Sequence, residues 1–232
     1  MCDPPDGAMV RGRATLTPVL LNLLTIGVLG FVGVRLIGGA RLSLSGQGRA
    51  QTMLIVRGIR LRHLVVAPFV LLAVLIVAGL LIQLPVLRWG WWTALGGIGN
   101  PVTGGTEQTK GTALEWLVPM AFLLVLLPAI PLFAQTEERM FRFGAEHWSG
   151  RKRATKVVQF GLAHAIIGIP IGVALALSIG GAYFMWCYLH RFKATGRPYE
   201  SMMESTRAHA AYNTEIVFVL LLAFLALAIT GG

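Results

Sequence analysis

Between Val65 and Ile82 the chain runs without a polar or charged side chain. Only a hydrocarbon phase or the centre of a much larger core can shield such a run, and a membrane-crossing helix needs about 20 mostly apolar residues. Composition decides between the two. Charged residues make up 13% of the 232 positions, about half of the roughly 25% typical of soluble domains, and the mean hydropathy is +0.70. The expectation is an all-α, polytopic integral membrane helix bundle, with about six transmembrane helices in one domain spanning 1–232. The two cysteines, Cys2 and Cys187, are far apart, which offers no disulfide framework or cysteine-based zinc site.

The run belongs to a span expected from Leu64 to Leu87, followed by Trp89, Trp91 and Trp92 as an interfacial aromatic belt. Another span is expected from Thr17 to Ile37, with Gly27, Gly30 and Gly33 forming a packing face rather than a phosphate loop. A Gly- and Thr-rich loop over 93–112 leads to a span from Ala113 to Ala134, which Pro119, Pro128 and Pro131 should kink or break near its end. Apolar sequence returns from Val157 to Leu189, about 50 Å of helix and more than one crossing needs. Gly168 and Pro170 predict a tight turn between two short helices there. The last span is expected from Arg207 to Thr230. The motif-bearing core thus covers about 113–230, with peripheral N-terminal helices over about 17–87.

The net charge of +10 reflects loop arginines and lysines rather than a nucleic-acid footprint. Arg41, Arg49, Arg57, Arg60 and Arg62 fill one loop, and Arg139, Arg142, Arg151, Lys152, Arg153 and Lys156 fill another. The positive-inside rule puts both in the cytoplasm, and with Arg191, Lys193 and Arg197 also inside, 157–189 must cross twice. Both termini then lie outside. His63 belongs to the run Arg57, Arg60, Arg62 and is expected to contact anionic lipid. His147, His190 and Cys187 read as structural.

Ionisable groups in or beside apolar spans are costly and mark candidate sites. Glu137 and Glu138 point about 100° apart on a helix. Glu138 and Arg142 are four apart, in the favourable acid-before-base order for an ion pair, which leaves Glu137 free for chemistry. His209 and Asn213 share a helix face, so the amide can fix the imidazole or bind an oxyanion. In the six-helix topology Glu137, His164 and His209 converge at similar depth. A carboxylate with two imidazoles and an amide suits water activation. The same three residues, Glu137, His164 and His209, could hold zinc as a two-His, one-carboxylate site; chemistry without metal stands equally. Glu115 reads as a hydrated helix-end residue, and Glu215 as a group that could pair with a neighbouring cation.

Glu137-Glu138-Arg139-Met140-Phe141-Arg142, Phe160-Gly161-Leu162-Ala163-His164 and His209-Ala210-Ala211-Tyr212-Asn213 match Glu-Glu-x-x-x-Arg, Phe-x-x-x-His and His-x-x-x-Asn. In this order they resemble the CPBP family of intramembrane proteases, which comprises type II CAAX prenyl endopeptidases and their bacterial relatives. One departure is that Phe143 stands where the family commonly has Gly, and Gly144 follows. The resemblance implies an endopeptidase with Glu137 as the catalytic glutamate. His164 and His209 would activate water or bind metal, and Asn213 would stabilise the oxyanion. Glu138 and Arg142, with the motif residue Phe160, would support the site. It also implies a membrane-associated peptide or protein substrate among membrane lipids; a bacterial inner membrane is the default setting, and the loop charge puts the active-site side toward the cytoplasm. The alternative is a non-catalytic scaffold or accessory subunit of a larger membrane complex, in which the motif residues form a polar packing network.

Overall fold

The structure, a computed structural model, describes residues 7–94 and 111–230. Its helices are α1 (Gly7–Leu44), α2 (Gly46–Val56), α3 (Leu61–Leu81), α4 (Trp91–Ala94), α5 (Leu114–Phe141), α6 (Gly150–Ala163), α7 (Ile171–Ala176), α8 (Ser178–Thr195) and α9 (Pro198–Thr230). Short 3-10 turns follow α5 and α6, at Ala145–His147 and His164–Ile167. No strand occurs among the described residues.

The protein is an integral membrane helix bundle, and α3 shows why. Val65, Phe69, Leu72, Ile76 and Leu80 recur at three- and four-residue spacing and are exposed, whereas His63, Ala67, Val74 and Ala78 face inward. The outward face is the more apolar one, the reverse of a helix that faces water. Among the described residues, five stretches are long and apolar enough to cross a membrane: Ile26–Leu44, Leu61–Leu81, Leu114–His147, Ile171–Thr195 and Pro198–Ala226.

Close contacts define two ends of the bundle. At the end that holds α2, the start of α3 meets the start of α9, where His63 Nε2 lies 2.7 Å from Glu204 Oε1, and the last turns of α5 meet Ser205 and His209. At the opposite end, the chain after α3 meets the turn before α7, with Ile171 N–H donating to the Trp89 carbonyl (2.9 Å) and Gly172 N–H to the Leu87 carbonyl (2.7 Å). That turn reverses at Gly168, whose φ of +86° only glycine adopts without strain. The reversal expected at Gly168 and Pro170 is therefore present.

Its first arm differs from the expectation. Segment α6 starts with Arg151, Lys152, Arg153 and Lys156, and its 14 residues extend only about 21 Å. It is not among those five stretches, so the described residues hold five candidate spans, close to the expected six or so. It still joins the two ends. Arg153 Nε donates to the Ala145 carbonyl at 2.9 Å, while Trp91 Nε1 donates to the Ile166 carbonyl at 3.1 Å beyond the helix's far end. Val158, Leu162 and Ile166 form an exposed apolar stripe along it.

Other boundaries moved for identifiable reasons. Three internal prolines do not end α5, which stays helical to Phe141 and so carries Glu137 and Glu138; membrane helices tolerate proline where neighbouring groups satisfy the freed carbonyls. Pro85 lies in the turns that follow α3, which ends at Leu81 rather than Leu87. Helix α9 starts at Pro198, ahead of the expected Arg207. Trp92 is buried while Trp89 is exposed, so the three tryptophans do not form one belt. A Cβ added at Gly27, Gly30 or Gly33 would meet nothing within 4 Å, so these glycines pack against no described part of the chain. Most of the loop expected over 93–112 lies outside the described residues.

The bundle closes on glycines. A Cβ at Gly161 would lie 2.4 Å from the Ala174 carbonyl oxygen and from Ser178 Oγ, and one at Gly181 would lie 2.9 Å from the Phe160 ring. These positions let α6 dock on α7 and α8 at backbone distance. Gly161→Val should destabilise the protein by about 1–3 kcal/mol through overpacking. Gly79→Val, where an added Cβ meets nothing within 4 Å, should be near neutral; unfolding of both variants in detergent checks this.

Candidate functional site

A carboxylate with no exposure to solvent organises the site. Glu138 is fully buried, one turn before Arg142, which is also fully buried. Its Oε1 accepts from Arg142 at 2.8 Å and from His209 Nδ1 at 2.8 Å. The Ser205 hydroxyl is within hydrogen-bonding reach of Oε2 and of the Phe184 carbonyl. Each bond offsets part of the desolvation that would otherwise oppose an ionised group here. Arg142 also donates to the Gly181 carbonyl (3.3 Å), and its guanidinium carbon lies 4.1 Å from the Phe160 ring centroid. The expected Glu138–Arg142 pair is present, and it extends to α8 and α9.

The pairing fixes the chemistry of His209. A carboxylate only accepts, so Nδ1 is the donor, and in the neutral imidazole Nε2 is the nitrogen that holds the lone pair. The imidazole is clamped by Phe184, stacked at 4.3 Å and 18°, and by the edge contact of Phe160 at 5.4 Å. Its Nε2 lies 3.6 Å from Glu137 Oε2, too far for a direct hydrogen bond. His164 repeats the logic, because its Nδ1 lies 2.9 Å from the Phe160 carbonyl and so donates, which in the neutral ring leaves Nε2 as the acceptor.

Phe160 stands between the two histidines, 5.2 Å from the His164 ring. It positions both rings and the arginine. A cavity of about 400 Å3 is lined by Glu137, Phe160, His164, His209, Tyr212 and Asn213, with an apolar wall that includes Leu126, Ile130 and Ile216. The structure thus brings the four expected residues Glu137, His164, His209 and Asn213 to one cavity. The Glu137 side chain is 35% exposed, whereas its neighbour Glu138 is sealed in the protein.

Two expectations change at this level. Glu138, not Asn213, fixes the His209 imidazole, which leaves the Asn213 amide to the cavity. Glu137, His164 and His209 do not close on a common point: no three His, Cys, Asp or Glu side chains among the described residues form a metal-holding group. The zinc arrangement therefore does not fit the donors as they stand.

Elsewhere, His63 is buried rather than lipid-facing. The Arg60 backbone N–H donates to its Nδ1 at 3.1 Å, so Nε2–H donates to Glu204. Glu115 accepts from the Gly111 N–H at 2.7 Å on an exposed helix start, and Glu215 forms no salt bridge among the described residues. His147 is exposed near Glu146, His190 stacks on Trp186, and Cys187 packs in the core. The residues that sequence reasoning missed are Ser205, Phe184 and Glu204. Ser205 was within reach, because Ser205, His209 and Asn213 recur every four residues along one face of α9.

Removing either member of the buried pair should cost about 3–5 kcal/mol, because it strands the other charge. Glu138→Ala and Arg142→Ala should each show this, and the double variant should lose less than their sum. A double-mutant cycle by detergent unfolding measures the coupling. The chain matches no protein-family model, no curated protein and no solved structure.

Proposed function

We propose that the chain is an intramembrane endopeptidase that hydrolyses a peptide bond of a membrane-associated substrate with water activated by Glu137. One observation supports this reading most: a solvent-reachable carboxylate, Glu137, faces Nε2 of a histidine whose Nδ1 a second, buried carboxylate holds in place. The order of the three motifs, which resemble those of the CPBP intramembrane proteases, points the same way.

The chemistry follows from which atoms are free. A water at the gap between Glu137 and His209 would donate one hydrogen to the carboxylate and one to Nε2, which directs its oxygen lone pair into the cavity. Glu137 takes a proton as that oxygen attacks the scissile carbonyl carbon. The Asn213 amide donates to the developing oxyanion. Collapse of the tetrahedral species breaks the C–N bond, and Glu137 returns the proton to the departing nitrogen. His164 supplies a further acceptor to orient water or a substrate N–H. No step calls on a metal.

The same reading takes the arginine-rich α2 end as the cytoplasmic end and a bacterial inner membrane as the setting. A scaffold reading explains Glu138, Arg142, Ser205 and His209 as a helix-packing network, but gives no account of why Glu137 faces the cavity beside two histidines. The two readings separate on Glu137→Gln and His164→Ala. Both variants should fold, because each changes a side chain with access to the cavity, and cleavage of a membrane-tethered peptide library should fall by about 10² or more if general-base catalysis is lost. Undiminished cleavage by Glu137→Gln would refute the assignment.

A further inference from the structure

A second cavity, of about 390 Å3, lies between α3, α8 and the start of α9 and shares no lining residue with the cavity of Glu137. Its lining includes Arg60, Arg62, His190, Arg191, Trp186 and Glu204. We propose that it binds the phosphate of an anionic lipid headgroup. This is a separate site from the proposed catalytic cavity and does not depend on that reading.

Charge is the first argument. Glu204 Oε1 is already shared by Arg62 and His63, and His63 spends its only N–H on it. Glu200 is shared by Arg191 at 2.9 Å and Arg197 at 2.6 Å. Arg60 forms no ion pair among the described residues, and Arg207 has a buried Nε without a hydrogen-bond partner. Positive charge from Arg60, Arg62, Arg191, Arg197 and Arg207 is therefore balanced only by Glu200 and Glu204. An anion accepting from Arg60, Arg62 and Arg191 would relieve that excess with charge-assisted bonds.

Depth is the second. Arg60 immediately precedes α3, and the lipid-facing surface of that helix begins at Leu61, Leu64 and Val65. The cavity therefore sits where the apolar belt meets the headgroup layer, with Val66 in its wall. Trp186, 59% exposed and stacked at 5.1 Å on His190, presents an aromatic face beside it; tryptophan favours that interfacial depth. A lipid phosphate reaches this position with its acyl chains still in the hydrocarbon. Inorganic phosphate shares the recognising chemistry but not the apolar contact.

The test uses the full chain in a non-ionic detergent, titrated with dioctanoyl phosphatidylglycerol, dioctanoyl phosphatidylcholine or inorganic phosphate. Thermal unfolding and native mass spectrometry provide the readouts. Phosphatidylglycerol should stabilise the wild type saturably with a retained adduct, and the other two should not. Arg60→Gln with Arg191→Gln should weaken that binding about tenfold or more, from roughly 1 kcal/mol per basic residue at a membrane surface. Arg49→Gln with Arg57→Gln, outside the cavity, should leave it unchanged. If the double cavity variant fails to fold, Arg60→Gln alone carries the test, because that side chain is exposed and unpaired. Equal stabilisation by phosphatidylcholine, equal stabilisation by free phosphate, or unaltered binding to the cavity variants would each overturn the proposal.

Discussion

Hydrocarbon gives an ionised carboxylate no solvation, so a buried one must bring its solvation with it. Glu138 does so with groups from two helices: Arg142 at the end of its own α5, and Ser205 and His209 from α9, while Arg142 in turn reaches Gly181 on α8. Apolar packing between membrane helices is weakly directional, because lipid tails are as apolar as leucine. The polar cluster supplies direction. It sets how α9 is rotated against α5, and that rotation aims Asn213 and the free nitrogen of His209 into the same cavity.

Two adjacent glutamates thereby acquire unlike roles from a single geometric fact, the ~100° step between neighbours on a helix. One faces three donors and is sealed. The other faces open volume and keeps its oxygens for whatever enters. Phe160 connects the halves: its carbonyl fixes the His164 proton, its ring separates the histidines, and its π-face receives the Arg142 guanidinium. Aromatic and ionic contacts at this residue reinforce one another, because the ring excludes water from the charges that its face stabilises.

What was legible in the sequence was what depends on local spacing. The apolar run over α3, the Glu138–Arg142 pair at four residues, the glycine reversal at 168, and the shared cavity of Glu137, His164, His209 and Asn213 all follow from helical period and loop charge. What escaped depends on partners far along the chain. Nothing near His209 in the sequence announces that its proton goes to Glu138. His63 looks like one more member of a basic run until Glu204 lies beneath it. The prolines of α5 mark breaks by local rules, whereas surrounding helices keep the segment continuous. The start of α6 escaped because the apolar stretch beginning at Val157 conceals that the helix begins earlier, among cations.

That short helix has a consequence for the surrounding lipid. The apolar stripe Val158, Leu162 and Ile166 on its outer face covers eight residue steps, about 12 Å of rise, against a hydrocarbon core of about 30 Å. The shortfall is a hydrophobic mismatch confined to one side of the protein. The leaflet beside α6 must thin or dip to keep Arg151 and Lys152 hydrated, which brings the water boundary down the flank of the bundle toward His164. In thicker bilayers that local deformation grows, so membrane thickness becomes a variable acting on the wall of the cavity itself.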